Sequence, residues 1–117
     1  MLRVVLAGAI VALILTVPAF GSAPPVGPLP KGPVTSISTA KGSLVSVALP
    51  SRAGKSWRLA RVVNARVLVE VTEANVGASV VIVYRAVGTG SVSVRYGLTR
   101  GETAKAYASA TFNVRVR

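Results

Sequence analysis

The 117-residue chain carries 14 Lys and Arg against 3 acidic residues, a formal net charge of +11, with 51% hydrophobic residues and only 15% charged. It has no His, no Asp and no Cys, and its acids are Glu70, Glu73 and Glu102. Ser-His-Asp and Cys-His arrangements and zinc sites of imidazole or thiolate cannot be assembled from this set, so no cofactor is implied and the composition points away from an enzyme.

Met1-Leu2-Arg3 supplies a short positive start, and the seventeen residues from Val4 to Phe20 carry no charge. Ala19-Phe20-Gly21 then offers a small-x-small cleavage pattern ahead of Ser22. That order predicts a secretory signal peptide over residues 1–21 and a secreted or cell-envelope location. The competing reading is an uncleaved anchor, because seventeen apolar residues sit at the lower limit for crossing a bilayer. Membrane contact is expected through this segment only. Residues 22–33 follow, with Pro24, Pro25, Pro28, Pro30 and Pro33 close together. Proline fixes φ and brings no N–H, so this run is expected to be an extended linker.

From Val34 onward the apolar residues recur with period two. Val45, Val47 and Leu49 alternate with Ser46 and Ala48; Val92, Val94 and Tyr96 with Ser93 and Arg95; Phe112, Val114 and Val116 with Asn113 and Arg115. Such alternation of β-branched and aromatic residues predicts half-buried strands. Seven are expected, at residues 34–40, 44–50, 57–62, 66–72, 79–86, 91–98 and 109–117. In the fourth, Val67, Val69 and Val71 should share one face, and Glu70 and Glu73, three apart, should face opposite sides. Gly88-Thr89-Gly90 reads as a hairpin turn. Trp57, Tyr84 and Tyr96 are expected core aromatics. The sum is an all-β fold, a seven-stranded antiparallel immunoglobulin-like β-sandwich over residues 34–117.

Three segments, in order, resemble the chagasin-like inhibitors of papain-type cysteine peptidases. Gly42-Ser43-Leu44-Val45-Ser46-Val47-Ala48-Leu49-Pro50-Ser51, followed by Trp57, is similar to the family's second strand and the tryptophan after its first inhibitory loop. Tyr84-Arg85-Ala86-Val87-Gly88-Thr89-Gly90-Ser91-Val92-Ser93-Val94-Arg95-Tyr96 is similar to its fifth-to-sixth-strand passage. Thr111-Phe112-Asn113-Val114-Arg115-Val116 matches the closing strand. The family's Asn-Pro-Thr-Thr-Gly loop is replaced here by Arg52-Ala53-Gly54-Lys55-Ser56, and its Arg-Pro-Trp by residues of Gly97-Leu98-Thr99-Arg100.

The resemblance implies a wedge that blocks a peptidase cleft with three loops and does no chemistry. Ser51, Arg52, Ala53, Gly54, Lys55 and Ser56 would enter the cleft centre. Asn75, Val76 and Gly77, and Leu98, Thr99 and Arg100, would grip its two sides. The implied partner is a papain-like cysteine peptidase.

Charge supplies an alternative. Without residues 1–21 the domain keeps 13 basic residues against 3 acidic, a net of +10. Arg52, Lys55 and Arg58 lie in or beside the loop after the second strand, and Arg100 and Lys105 in the loop before the last. An immunoglobulin-like sandwich gathers those loops at one end. That end should attract acidic partners, which suits a non-inhibitory surface module holding an acidic polymer or protein. Arg85, Arg95, Arg115 and Arg117, on outward strand positions, would chiefly keep the domain soluble. Specific nucleic-acid binding is not expected, since no helix suits a major groove and no aromatic platform interleaves with the cations.

Overall fold

The structure, a computed structural model, describes residues 23–117; the expected signal peptide lies outside the described residues. Seven strands form: β1 (Val34–Thr39), β2 (Leu44–Pro50), β3 (Ser56–Leu59), β4 (Leu68–Val76), β5 (Ser79–Ala86), β6 (Gly90–Thr99) and β7 (Ala108–Val116). They make a four-stranded sheet in the order β1-β7-β6-β3 and a three-stranded sheet in the order β2-β5-β4. This is the two-sheet, all-β sandwich that the alternation predicts.

One pairing departs from the antiparallel expectation. β1 runs parallel to β7, with Val34 opposite Thr111 and Thr39 opposite Val116. No hairpin joins these two strands, so nothing forces them to run in opposite directions.

The inward residues of each strand meet in one core that includes Val47, Leu49, Ile82, Tyr84, Val94, Tyr96, Phe112 and Val114. Tyr84 and Tyr96 join the sheets, their hydroxyls 2.5 Å apart in a buried hydrogen bond. Burial is the main cause that raises both phenols above the ordinary tyrosine value of 10.0. Tyr96 also meets Phe112 edge to face, with ring centroids 6.3 Å apart, a preferred aromatic geometry.

β4 corrects the expected strand faces. Its register slips between Glu70 and Thr72, so Glu70 pairs with Tyr84 and Glu73 with Ile82. Cross-strand partners share a face, and Tyr84 and Ile82 both point inward. Glu70 and Glu73 therefore share a face, because the irregularity at Val71 absorbs the odd residue. Val69 and Val71 lie exposed, whereas Val67 and Leu68 are buried. β3, expected to reach residue 62, stops at Leu59, and Val62 is 96% exposed. With so short a β3 opposite it, the inward side of β4 beyond Leu68 is left open.

Gly88-Thr89-Gly90 is not a hairpin, since β5 and β6 belong to different sheets. It is the arch between them. A Cβ at Gly88 would lie 2.1 Å from the Arg66 carbonyl oxygen, so the arch approaches the β3–β4 connection too closely for a side chain.

The proline-rich run, expected as a linker, makes close contacts with the sandwich. Val26 is 5% exposed, the Gly27 amide donates to the Ala104 carbonyl at 2.7 Å, and the Ser109 hydroxyl donates to the Pro30 carbonyl at 2.6 Å. Gly97, on the outer side of β6, provides the room: a Cβ there would lie 2.7 Å from Val26 Cγ1. The strap thus covers one part of an otherwise polar outer face.

Candidate functional site: three loops at one end

The β2–β3 loop is a tight turn. The Lys55 amide donates to the Arg52 carbonyl at 3.2 Å, and Gly54 takes a φ of +73° with no atom within 4 Å of a notional Cβ. A positive φ at the third turn position favours glycine. Ala53 and Gly54 are the exposed tip. The turn is anchored at its base by Trp57, whose indole N–H donates to the Pro50 carbonyl at 2.8 Å.

The β4–β5 connection is a hairpin of two residues, Gly77 and Ala78, with Gly77 at a φ of +60°. It sits beside the first loop, because the Ser51 amide donates to the Ala78 carbonyl at 2.8 Å. The β6–β7 connection, residues 100–107, approaches from the other side. Lys55 Nζ lies 5.3 Å from the centroid of the Tyr107 ring. The three connections therefore lie side by side at one end, as the sandwich topology requires.

Most of the residues assigned to this end from the sequence are there. Ser51, Arg52, Ala53, Gly54 and Ser56 are exposed, and Lys55 is half-buried against Tyr107. Asn75 and Val76 are the exposed last residues of β4, and Gly77 is in the turn. Arg100 is exposed at the start of its loop. Leu98 and Thr99 are different. β6 continues through Thr99, leaving Leu98 4% and Thr99 0% exposed. Leu98 carries on the inward row of Val94 and Tyr96, and Thr99 donates its hydroxyl to the Gly101 carbonyl at 2.6 Å. Buried so, neither offers a surface to a partner. The flank consists of Arg100 and the residues after it.

Two features of this end were not visible in the sequence. Arg58 is not a free surface cation: its guanidinium donates to the Thr103 and Pro24 carbonyls, tying β3 to the last loop and to the strap. Tyr107, 43% exposed, has Lys55, Arg100 and Lys105 within 5.3, 5.6 and 5.0 Å of its ring centroid. A lone tyrosine ending a polar loop has no periodic signal. Its only hint was Lys105 two residues before it.

Between the β2–β3 loop and the end of β4 lies an open groove lined by Arg52, Lys55, Trp57, Glu73 and Asn75. Among the described residues no group of three or more His, Cys, Asp or Glu side chains could hold a metal ion. What this end offers is shape, backbone amides and positive charge.

No family model matches the chain, and no curated protein matches its sequence. A solved structure does match. The crystal structure of the cysteine protease inhibitor EhICP2 from Entamoeba histolytica superposes with a TM-score of 0.56 at 13% identity, covering 75% of this chain and 99% of that one. The likeness implied by the sequence framework is therefore present in three dimensions, at the level of the fold.

Proposed function

We propose that this chain is an exported inhibitor of papain-type cysteine peptidases, filling the active-site cleft with the end formed by its three loops. The observation that carries the reading is the convergence of those loops, fixed by the bond from the Ser51 amide to the Ala78 carbonyl and by the seating of Lys55 at Tyr107. The inhibitor fold of the Entamoeba histolytica protein supports it. Ala53 and Gly54 form the narrow tip, whose small side chains let backbone come close to a catalytic thiolate. The β4–β5 hairpin stands on one side and the 100–107 loop on the other.

The Asn-Pro-Thr-Thr-Gly and Arg-Pro-Trp anchors of the resembled family are absent. Loss of a buried anchor costs about 2 kcal/mol, or about 30-fold in affinity. Inhibition is therefore expected to be reversible and weaker than the family's. The test is titration of the purified protein against a panel of papain-type peptidases at fixed substrate. If none is inhibited, the alternative surface module takes the place of this reading.

A further inference from the structure

Three cations converge on one aromatic ring at the flank of the loop end. Lys55 comes from the β2–β3 turn, and Arg100 and Lys105 come from the 100–107 loop; each lies within 5.6 Å of the Tyr107 centroid. No two of them can then be more than about 11 Å apart. Like charges held this closely repel one another, and the negative face of the ring offsets part of that repulsion. A bound anion would offset more. The chain's three carboxylates cannot neutralise its 14 cations.

We infer that Tyr107, Lys55, Arg100 and Lys105 form a site for an acidic peptide segment of a partner protein. Of the neighbouring cations, Arg58 is held by tertiary contacts, whereas Arg52 is exposed and bonds only to the adjacent carbonyl. Arg58 donates to the Thr103 and Pro24 carbonyls, and Arg52 to the Ser51 carbonyl. Three cations around one ring make a compact cluster, not the continuous track that a long polyanion follows. In an extended peptide, residues two apart lie about 6.6 Å from each other on the same side. That spacing lies below the upper limit of about 11 Å on the separation of any two of the cations. The attraction of each cation to the ring favours its place there before binding, so less side-chain freedom is lost when the peptide arrives. The site lies beside the tip of the wedge, and its existence does not depend on the partner being a peptidase.

The test measures fluorescence anisotropy of a labelled peptide of alternating Glu and Thr, added to the full chain at low and at physiological salt. Lys105→Gln and Arg100→Gln are each expected to weaken binding about threefold to fivefold, the upper range for an exposed charge pair. Tyr107→Ala should weaken it at least as much, and Tyr107→Phe, which keeps the ring, should stay within about twofold of the wild type. Arg115→Gln and Lys41→Gln, exposed cations away from the cluster, should have less than a twofold effect. Equal losses in the cluster and control variants would overturn the inference, because net charge alone would then attract the peptide. Binding of dextran sulfate that depends on the cluster, with no binding of the peptide, would overturn it as well.

Discussion

The indole N–H of Trp57 donates to the carbonyl of Pro50 at 2.8 Å, tying the second residue of β3 to the last residue of β2 across the loop that they flank. The bond closes the base of the turn that carries Ala53 and Gly54. Trp57→Phe keeps an aromatic ring and removes the donor. A net loss of about 1 kcal/mol of stability is expected, together with faster amide hydrogen exchange at Ser51 and Lys55. Unchanged exchange at those two amides would show that the tryptophan does not hold the loop.

The buried tyrosine pair makes a pH prediction. Both phenols titrate higher in the folded chain than the ordinary value of 10.0, burial being the largest cause. The folded state thus holds its phenolic protons where the unfolded chain releases them. The stabilisation is complete below pH ~10 and is lost as the pH rises above that value. The urea midpoint of the wild type should therefore fall from pH 9 to pH 11 more steeply than that of the Tyr84→Phe, Tyr96→Phe double variant. At neutral pH the single variant Tyr84→Phe should lose about 1–3 kcal/mol, since it leaves the Tyr96 hydroxyl buried without its partner. The double variant should lose less.

Val94 is 1% exposed between the sheets, whereas Asn113 lies on the outer face beside Ser93. Val94→Asp buries an unpaired carboxylate, which costs several kcal/mol and should unfold a small domain. Asn113→Asp should leave the thermal midpoint nearly unchanged. Equal effects on circular dichroism melting curves would mean that the strand faces are assigned wrongly.

The strap can be tested in the same way. If residues 24–33 were a free linker, Val26→Ser would change nothing. Val26 is buried against Gly97, so the substitution should cost about 1–2 kcal/mol, read as a lower urea midpoint. An unchanged midpoint would return this segment to the role of a spacer.

How far the sequence could be read depended on what held each residue in place. β2, β5, β6 and β7 pack one face on the core, so the alternation of Val45 and Val47 with Ser46, or of Val92 and Val94 with Ser93, shows directly in the residue order. β4 does not. Its inward side is left open beyond Leu68, and the irregularity at Val71 reverses the parity between Glu70 and Glu73. The row Val92, Val94, Tyr96 extends in the residue order to Leu98, whereas the resemblance to the family's Arg-Pro-Trp places the loop two residues inside the strand. Tyr107 and Arg58 depend on tertiary neighbours from distant parts of the chain, which no local pattern encodes.

A matched pair of glycine substitutions tests whether the loop end fills a peptidase cleft. Gly54 and Gly42 both have positive φ, +73° and +94°, and open space around them. Gly54 is the tip of the proposed wedge, while Gly42 lies at the opposite end, where its amide donates to the Ala86 carbonyl at 2.7 Å. A side chain strains the backbone at both, by about 1–2 kcal/mol in left-handed geometry, and the two positions lie at opposite ends of the sandwich. The measurement titrates wild type, Gly54→Trp and Gly42→Trp against a papain-type peptidase that the wild type inhibits, with circular dichroism confirming that all three fold. Reversible inhibition is expected from the wild type and from Gly42→Trp, and none from Gly54→Trp. Undiminished inhibition by Gly54→Trp, or no inhibition of any papain-type peptidase by the wild type at high micromolar concentration, would contradict a cleft-filling role.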